Sequence, residues 1–167
     1  MSETDEIKKA MKSKKKKNTI SKKDFLSTGS TLLNLACTNN PRGGFIKGTY
    51  VFFVGDSSSG KTWLSLGCLA EASINKHFKD YRLIYDNGEN GALMDLSYYF
   101  GDAVAERLEP PRYSDDGDEM FSSKIEEFYY NVDDAVKEGK PFIYILDSMD
   151  SLSSKDEADK FNESKNA

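Results

Sequence analysis

The residues GDSSSGKT at 55–62 have the spacing G-x-x-x-x-G-K-[ST], and their types suit them to holding a chain of phosphates. Gly55 and Gly60 permit backbone conformations in which the N–H groups of Ser57, Ser58, Ser59, Gly60 and Lys61 turn toward one anionic centre. Lys61 adds a point charge for the β- and γ-phosphates, and the Thr62 hydroxyl is a hard oxygen ligand for Mg²⁺. A helix starting near Lys61 would direct about half an elementary charge at the same place. ATP and Mg²⁺ are the expected cofactors. A Gly/Ser surface turn with a chance lysine would share this composition but not its flanks. The apolar TYVFFV at 49–54 reads as the strand before the loop, and WLSLGCLA at 63–70 as the helix after it.

Three carboxylates complete the chemistry. Asp147 follows the apolar run FIYIL at 142–146, which is where a carboxylate that holds the hydration shell of Mg²⁺ opposite Thr62 would sit. Hydrolysis also needs a group that orients or deprotonates the attacking water. Glu89 and Asp86 compete for that role at the end of the run 81–85. Glu89 is preferred because its longer side chain stands on a glycine-flanked loop. In an open α/β sheet, ligands bind beyond the carboxyl ends of the strands, so these loops should converge.

The elements that must position these residues alternate in type. After a turn cluster at 39–44, the pattern predicts a strand over 49–54, a helix of about 15 residues from Lys61 to near His77, and a strand over 81–85. A short helix then runs from near Gly91 to near Gly101, with a loop over 109–119. Phe121, Ile125, Phe128, Tyr129, Val132 and Val136 recur at helical spacing, and their aromatics are expected to face the core. The strand over 142–146 reads as buried on both faces. This succession predicts an α/β fold with a mostly parallel sheet and flanking helices.

Charge divides the chain unevenly. Residues 1–23 carry nine lysines and a balance of +6, and the remainder carries −11. Residues 1–24 are therefore read as a basic, disordered arm, 25–152 as the ATPase core and 153–167 as a polar tail. Such an arm can hold nucleic-acid phosphates or lie on an acidic surface. No apolar run reaches the roughly 18 residues a membrane helix requires, and no apolar core follows the N-terminal lysines. Cytoplasmic residence is the expectation. Cys37 and Cys68 lack metal or disulfide spacing and are expected to be small buried hydrophobes, and His77, the single histidine, is read as a helix-end residue.

The runs STGSTLLNLA at 27–36, GGFIKG at 43–48, VGDSSSGKT at 54–62 and IYILDS at 143–148 together resemble the RecA-type recombinase ATPase core, including its phage relatives. The resemblance spans residues 25–152. It implies a RecA-like P-loop NTPase core that hydrolyses ATP with Mg²⁺, assembles into a filament or ring on single-stranded DNA, and pairs strands in recombination and repair. By the family's spacing to a glycine after a short helix, here Gly101, Glu89 is the catalytic carboxylate, although the loop 86–89 is one residue longer than the family's. Another P-loop ATPase, helicase-like or KaiC-like, is an alternative, as is a truncated nucleotide-binding module without turnover.

The family's DNA loops and its γ-phosphate sensor strand come after the strand that carries Asp147. Only 20 residues follow Asp147 here, and they contain no apolar run. The expected core is thus incomplete on its C-terminal side. Its absent strand belongs between residues 49–54 and 142–146, which leaves unpaired backbone groups unless those two strands pair directly. A complementing C-terminal half is the partner this implies.

Overall fold

The computed structural model describes residues 20–89 and 94–155. The arm over 1–19, the expected start of the helix near Gly91 and the tail from 156 lie outside the described residues. The described residues are mixed α/β, with five α-helices and three two-stranded β pairings, of which one is parallel.

The first pairing is local. β1 (Phe25–Leu26) runs antiparallel to β2 (Phe45–Ile46) and encloses α1 (Thr31–Thr38). Ser30 caps α1 by accepting from the Leu33 N–H, and Asn39 ends it in the left-handed region at φ 55°. The segment is locked by Asn34, which is buried. Its Oδ1 accepts from the Thr28 N–H and hydroxyl, both at 2.9 Å, and its Nδ2 donates to Ser27 Oγ and to the Pro41 carbonyl. The run 27–36 therefore holds its shape through a buried amide with every hydrogen bond made, which costs little once formed.

α2 (Lys61–Ile74) supplies the centre of the core with Leu66, Cys68, Leu69 and Ala72. These pack with Phe78, with Leu83 of β3 (Arg82–Asp86), and with Val104 of α4 (Asp102–Arg107). The carbonyls at the end of α2 and in the turn after it would otherwise be orphaned. The Arg107 guanidinium donates to the carbonyls of Ala72, Ser73, Phe78, Lys79 and Tyr81, fastening α4 to the exit of α2.

β3 pairs in parallel with β6 (Phe142–Leu146), Tyr85 opposite Ile145 and Ile84 opposite Tyr144. The other edge of β3 is covered by residues 108–109, where the Glu109 N–H donates to the Leu83 carbonyl and the Glu109 carboxylate takes two hydrogen bonds from Arg82. Side chains alternate along a strand. Leu83 and Tyr85 thus face α2, whereas Ile84 and Asp86 face α5 (Ile125–Lys137), whose Phe128 meets Tyr144 at 5.7 Å. α3 (Leu96–Phe100) lies beside α4, and β4 (Arg112–Tyr113), in the stretch 109–119 expected to be a plain loop, pairs with β5 (Glu119–Met120) at its end.

Several expectations are corrected. Residues 49–54 are coil with no strand partner among the described residues, and Tyr50, Phe52 and Val54 are 88%, 75% and 95% exposed. The run has strand propensity, but propensity needs a neighbouring strand to satisfy its N–H and C=O groups, and none adjoins it. Nor do residues 49–54 pair with β6, whose edge away from β3 has no partner among the described residues. β6 is consequently half-buried along its length rather than buried on both faces. The parallel part of the sheet has two strands, and the other pairings are antiparallel. On α5, Ile125, Tyr129 and Val136 are exposed, and Ala135 is its buried residue. Cys37 is exposed, whereas Cys68 is buried as expected.

Candidate functional site

The loop 55–60 leads from coil directly into the first turn of α2. Gly60 is the N-cap at φ 90°, a conformation a side chain would strain, and Ser58 is also left-handed at φ 61°. A Cβ at Gly55 would stand 2.8 Å from Ser59 Oγ, so a side chain there would displace the Ser59 hydroxyl. Ser57, Ser58 and Ser59 are exposed. The Ser59 N–H is used within the loop, donating to the Asp56 carbonyl at 3.2 Å, so it does not join the expected ring of inward amides in this conformation. The Lys61 ammonium folds across the loop and donates to the carbonyls of Gly55 at 2.8 Å and Asp56 at 2.9 Å. Gly55, Ser59, Gly60 and Lys61 line an open concavity of about 360 Å³ together with Leu64 and residues 52–54. That volume is at the small end of ligand pockets.

No side chain caps the N-terminus of α2, so its first N–H groups keep their donor capacity next to Lys61 and Thr62. Trp63, the next residue, meets Tyr99 at 5.5 Å and Phe100 at 4.7 Å. This aromatic contact brings α3, which follows the Glu89 loop, against the head of α2. Nothing in the helical spacing of 63–70 signalled it, because the partners lie on a separate element.

At the ends of the parallel pair the carboxylates separate by face. Asp86 points to the α5 side and is buried. Its carboxylate accepts from the Ser122 N–H at 2.8 Å, the Ser122 hydroxyl at 2.6 Å and the Tyr144 hydroxyl at 2.5 Å, and Asn131 donates to Ser122 Oγ behind it. Its acceptor capacity is spent on the structure. Burial, reinforced by this bond to Asp86, pushes the Tyr144 phenol well above its ordinary range.

Asp147 stands on the other face, with Tyr85, toward α2. Tyr85 donates to Asp147 Oδ2 at 2.8 Å, and burial with that hydrogen bond raises the Tyr85 phenol far above its ordinary range, so it remains a donor. The Asp147 N–H donates to the Asp86 carbonyl at 2.9 Å, and its own carbonyl accepts from the Glu89 N–H at 3.2 Å. The exposed Glu89 carboxylate accepts from the Ser148 hydroxyl. Glu89 and Asp147 are therefore brought together by one backbone bond, while the Asp86 side chain is turned to the other face. The tyrosines, Ser122 and Asn131 were not legible as site residues. Their roles depend on which strand face each aspartate takes.

Among the described residues no three His, Cys, Asp or Glu side chains form a metal cage. Thr62 and Asp147 each carry hard oxygens, the donor type that Mg²⁺ takes. No helix among the described residues is long and apolar enough to cross a membrane. Comparison with protein-family models, with curated proteins and with solved structures found no match for this chain.

Proposed function

We propose that this chain is the nucleotide-binding portion of a RecA-like ATPase that binds ATP with Mg²⁺ and couples its hydrolysis to single-stranded DNA in recombination or repair. The observation that carries the reading is the loop 55–62 itself. Its left-handed Ser58 and Gly60, the Lys61 ammonium across it and an uncapped 14-residue helix behind it form a cradle suited to polyphosphate.

In this reading Lys61 exchanges its two carbonyl acceptors for phosphate oxygens, and the first amides of α2 hold the charge that builds on them. Thr62 and Asp147 would hold Mg²⁺, which when bound neutralises the phosphates. Glu89 orients water, with Ser148 fixing its carboxylate, and Asp86 serves the fold. The other P-loop ATPase classes share all of these parts and differ in what stimulates turnover.

A second reading has a specific observation in its favour. The unpaired residues 49–54 and the open edge of β6 leave the sheet unfinished among the described residues, which supports a binding module that turns over only when another polypeptide, or another copy in a filament, completes it.

Calorimetry separates these readings. The parent chain should bind ATP with Mg²⁺, and Lys61→Ala should abolish that binding with the fold intact. Glu89→Gln should keep binding and lose any DNA-stimulated phosphate release. ATP binding without turnover, even with single-stranded DNA, would favour the second reading. A folded parent chain that takes up no ATP or GTP would refute both.

A further inference from the structure

We propose that the open edge of β6 and a second apolar stripe on α5 form one interface, and that its occupant is a second copy of this chain related by a two-fold axis. This goes beyond the nucleotide reading and does not depend on it.

α5 presents apolar residues on two faces. Phe128 and Ala135 look inward with Asn131 between them, Phe128 onto Tyr144 and Asn131 onto Ser122. Ile125, Tyr129, Val132 and Val136 form the other face, at spacings of four, three and four, which is the repeat of a helix–helix seam. Tyr129 is 63% exposed, Val136 60% and Ile125 46%. At about 3.6 residues per turn, this stripe stands about a quarter turn from the inward face. The opposite shoulder is turned to the β3 side, where Asp134 meets Arg112 at 3.7 Å and Glu138 meets Arg82 at 2.9 Å. The stripe therefore overhangs the free edge of β6, where the backbone of residues 142–146 has no further strand partner among the described residues.

One occupant satisfies both features. A two-fold axis normal to the sheet lays β6 antiparallel to β6 of the second copy and brings the two α5 helices side by side, also antiparallel. The same axis serves both layers, because Phe128, near the middle of α5, meets Tyr144, the middle residue of β6. The spacing agrees. α5 straddles both strands, touching Tyr144 of β6 and, through Asn131 and Ser122, Asp86 of β3. With strands about 4.8 Å apart, the two helices lie about 9–10 Å from axis to axis, within the roughly 8–10 Å at which helices pack. Charge agrees as well. α5 has Glu126 and Glu127 in its first turn and Lys137 in its last, so antiparallel contact sets the acidic end of each helix beside the basic end of the other.

The test is sedimentation equilibrium of the full chain from about 5 to about 200 µM, the range in which so short a seam should associate. The parent should move from 18.8 kDa toward twice that mass. Tyr129→Asp and Val136→Asp, both at exposed positions and checked for folding by circular dichroism, should each weaken association by about thirtyfold or more, since a two-fold interface meets each substitution twice. In a Cys37→Ser background, Ile125→Cys mixed with Val136→Cys should form a disulfide-linked pair, and neither alone should. Amides of residues 142–146 should exchange more slowly in the concentrated parent than in Val136→Asp. A parent that stays monomeric across this range would overturn the proposal. So would a dimer indifferent to both aspartates, a disulfide-linked pair from either cysteine variant alone in place of the mixed one, or exchange over 142–146 that ignores concentration. None of these outcomes touches ATP binding by the loop 55–62, which calorimetry reads separately.

Discussion

Replacing Asp86 should damage stability, whereas replacing Glu89 should not. The Asp86 carboxylate is 5% exposed and takes three hydrogen bonds, two from Ser122, which is itself 1% exposed, and one from Tyr144. In Asp86→Ala the buried Ser122 N–H and the two hydroxyls lose their acceptor. A buried donor left unsatisfied costs about 1–3 kcal/mol, so the three together should cost about 3–5 kcal/mol once partial relaxation is allowed. Domains of this size have a stability of roughly 5–15 kcal/mol, so the alanine variant loses a large share of it. Asp86→Asn keeps the shape but turns an NH₂ toward donors. One hydroxyl can rotate to accept, leaving a cost of about 1–2 kcal/mol. Glu89→Gln, on an exposed side chain, should stay within about 0.5 kcal/mol of the parent. Urea unfolding followed by circular dichroism reads all three. With a slope of about 2 kcal/mol per molar, the alanine midpoint should fall by about 1.5–2.5 M. An Asp86→Ala variant as stable as the parent would refute the buried network. An Asp86→Asn variant that folds and binds ATP but loses hydrolysis, beside a Glu89→Gln variant that hydrolyses normally, would refute the assignment of faces.

Further outcomes follow from other contacts. Arg107→Ala should cost about 2–4 kcal/mol in the same assay, because five carbonyls at the exit of α2 lose a charged donor, and Arg107→Lys should restore only part of it, since an ammonium lacks the planar fork. The Glu127 carboxylate caps α5 by accepting from the Ser123 N–H, chiefly, then the Ser123 hydroxyl and the Lys124 N–H, and these hold its pKa below the usual 4.5. A depressed folded pKa means that its stabilisation is complete above the unfolded value and is lost as pH falls through the folded one. Glu127→Gln should therefore flatten the acid limb of a stability profile below about pH 4.5 and leave its shape at neutral pH unchanged. A thiol reagent at pH 8 should modify Cys37 quickly and spare Cys68, whose burial and nearby Glu71 push the thiol up to about 12. Equal labelling of both in folded protein would contradict the burial of α2.

What could be read from the chain in advance was local. The loop 55–62 and the helix after it follow from glycine and serine chemistry and from apolar spacing over 61–74, and both appear close to where they were expected. The strands 82–86 and 142–146 appear within a residue of the predicted runs, because a compact apolar run bounded by turn residues carries its own signal. The two-residue pairings at 25–26 with 45–46 and at 112–113 with 119–120 were invisible, since two residues carry no period. On α5 the spacing was right, but the expected core face was too wide, and Ile125, Tyr129 and Val136 are exposed.

Residue order was enough to nominate the loop, the lysine, the threonine and the carboxylates as candidates, since a candidate depends on chemical type and on separation along the chain. It could not say that residues 49–54 stay unpaired, because a strand is defined by a neighbour and that neighbour is a property of the assembled sheet. Nor could it say that Asp86 and Asp147, two aspartates that each end an apolar run, turn to opposite faces of the strands. The parallel register decides between them by turning one toward Ser122 and Tyr144 and the other toward Tyr85, and alternation across a paired strand exists only after the strands have met.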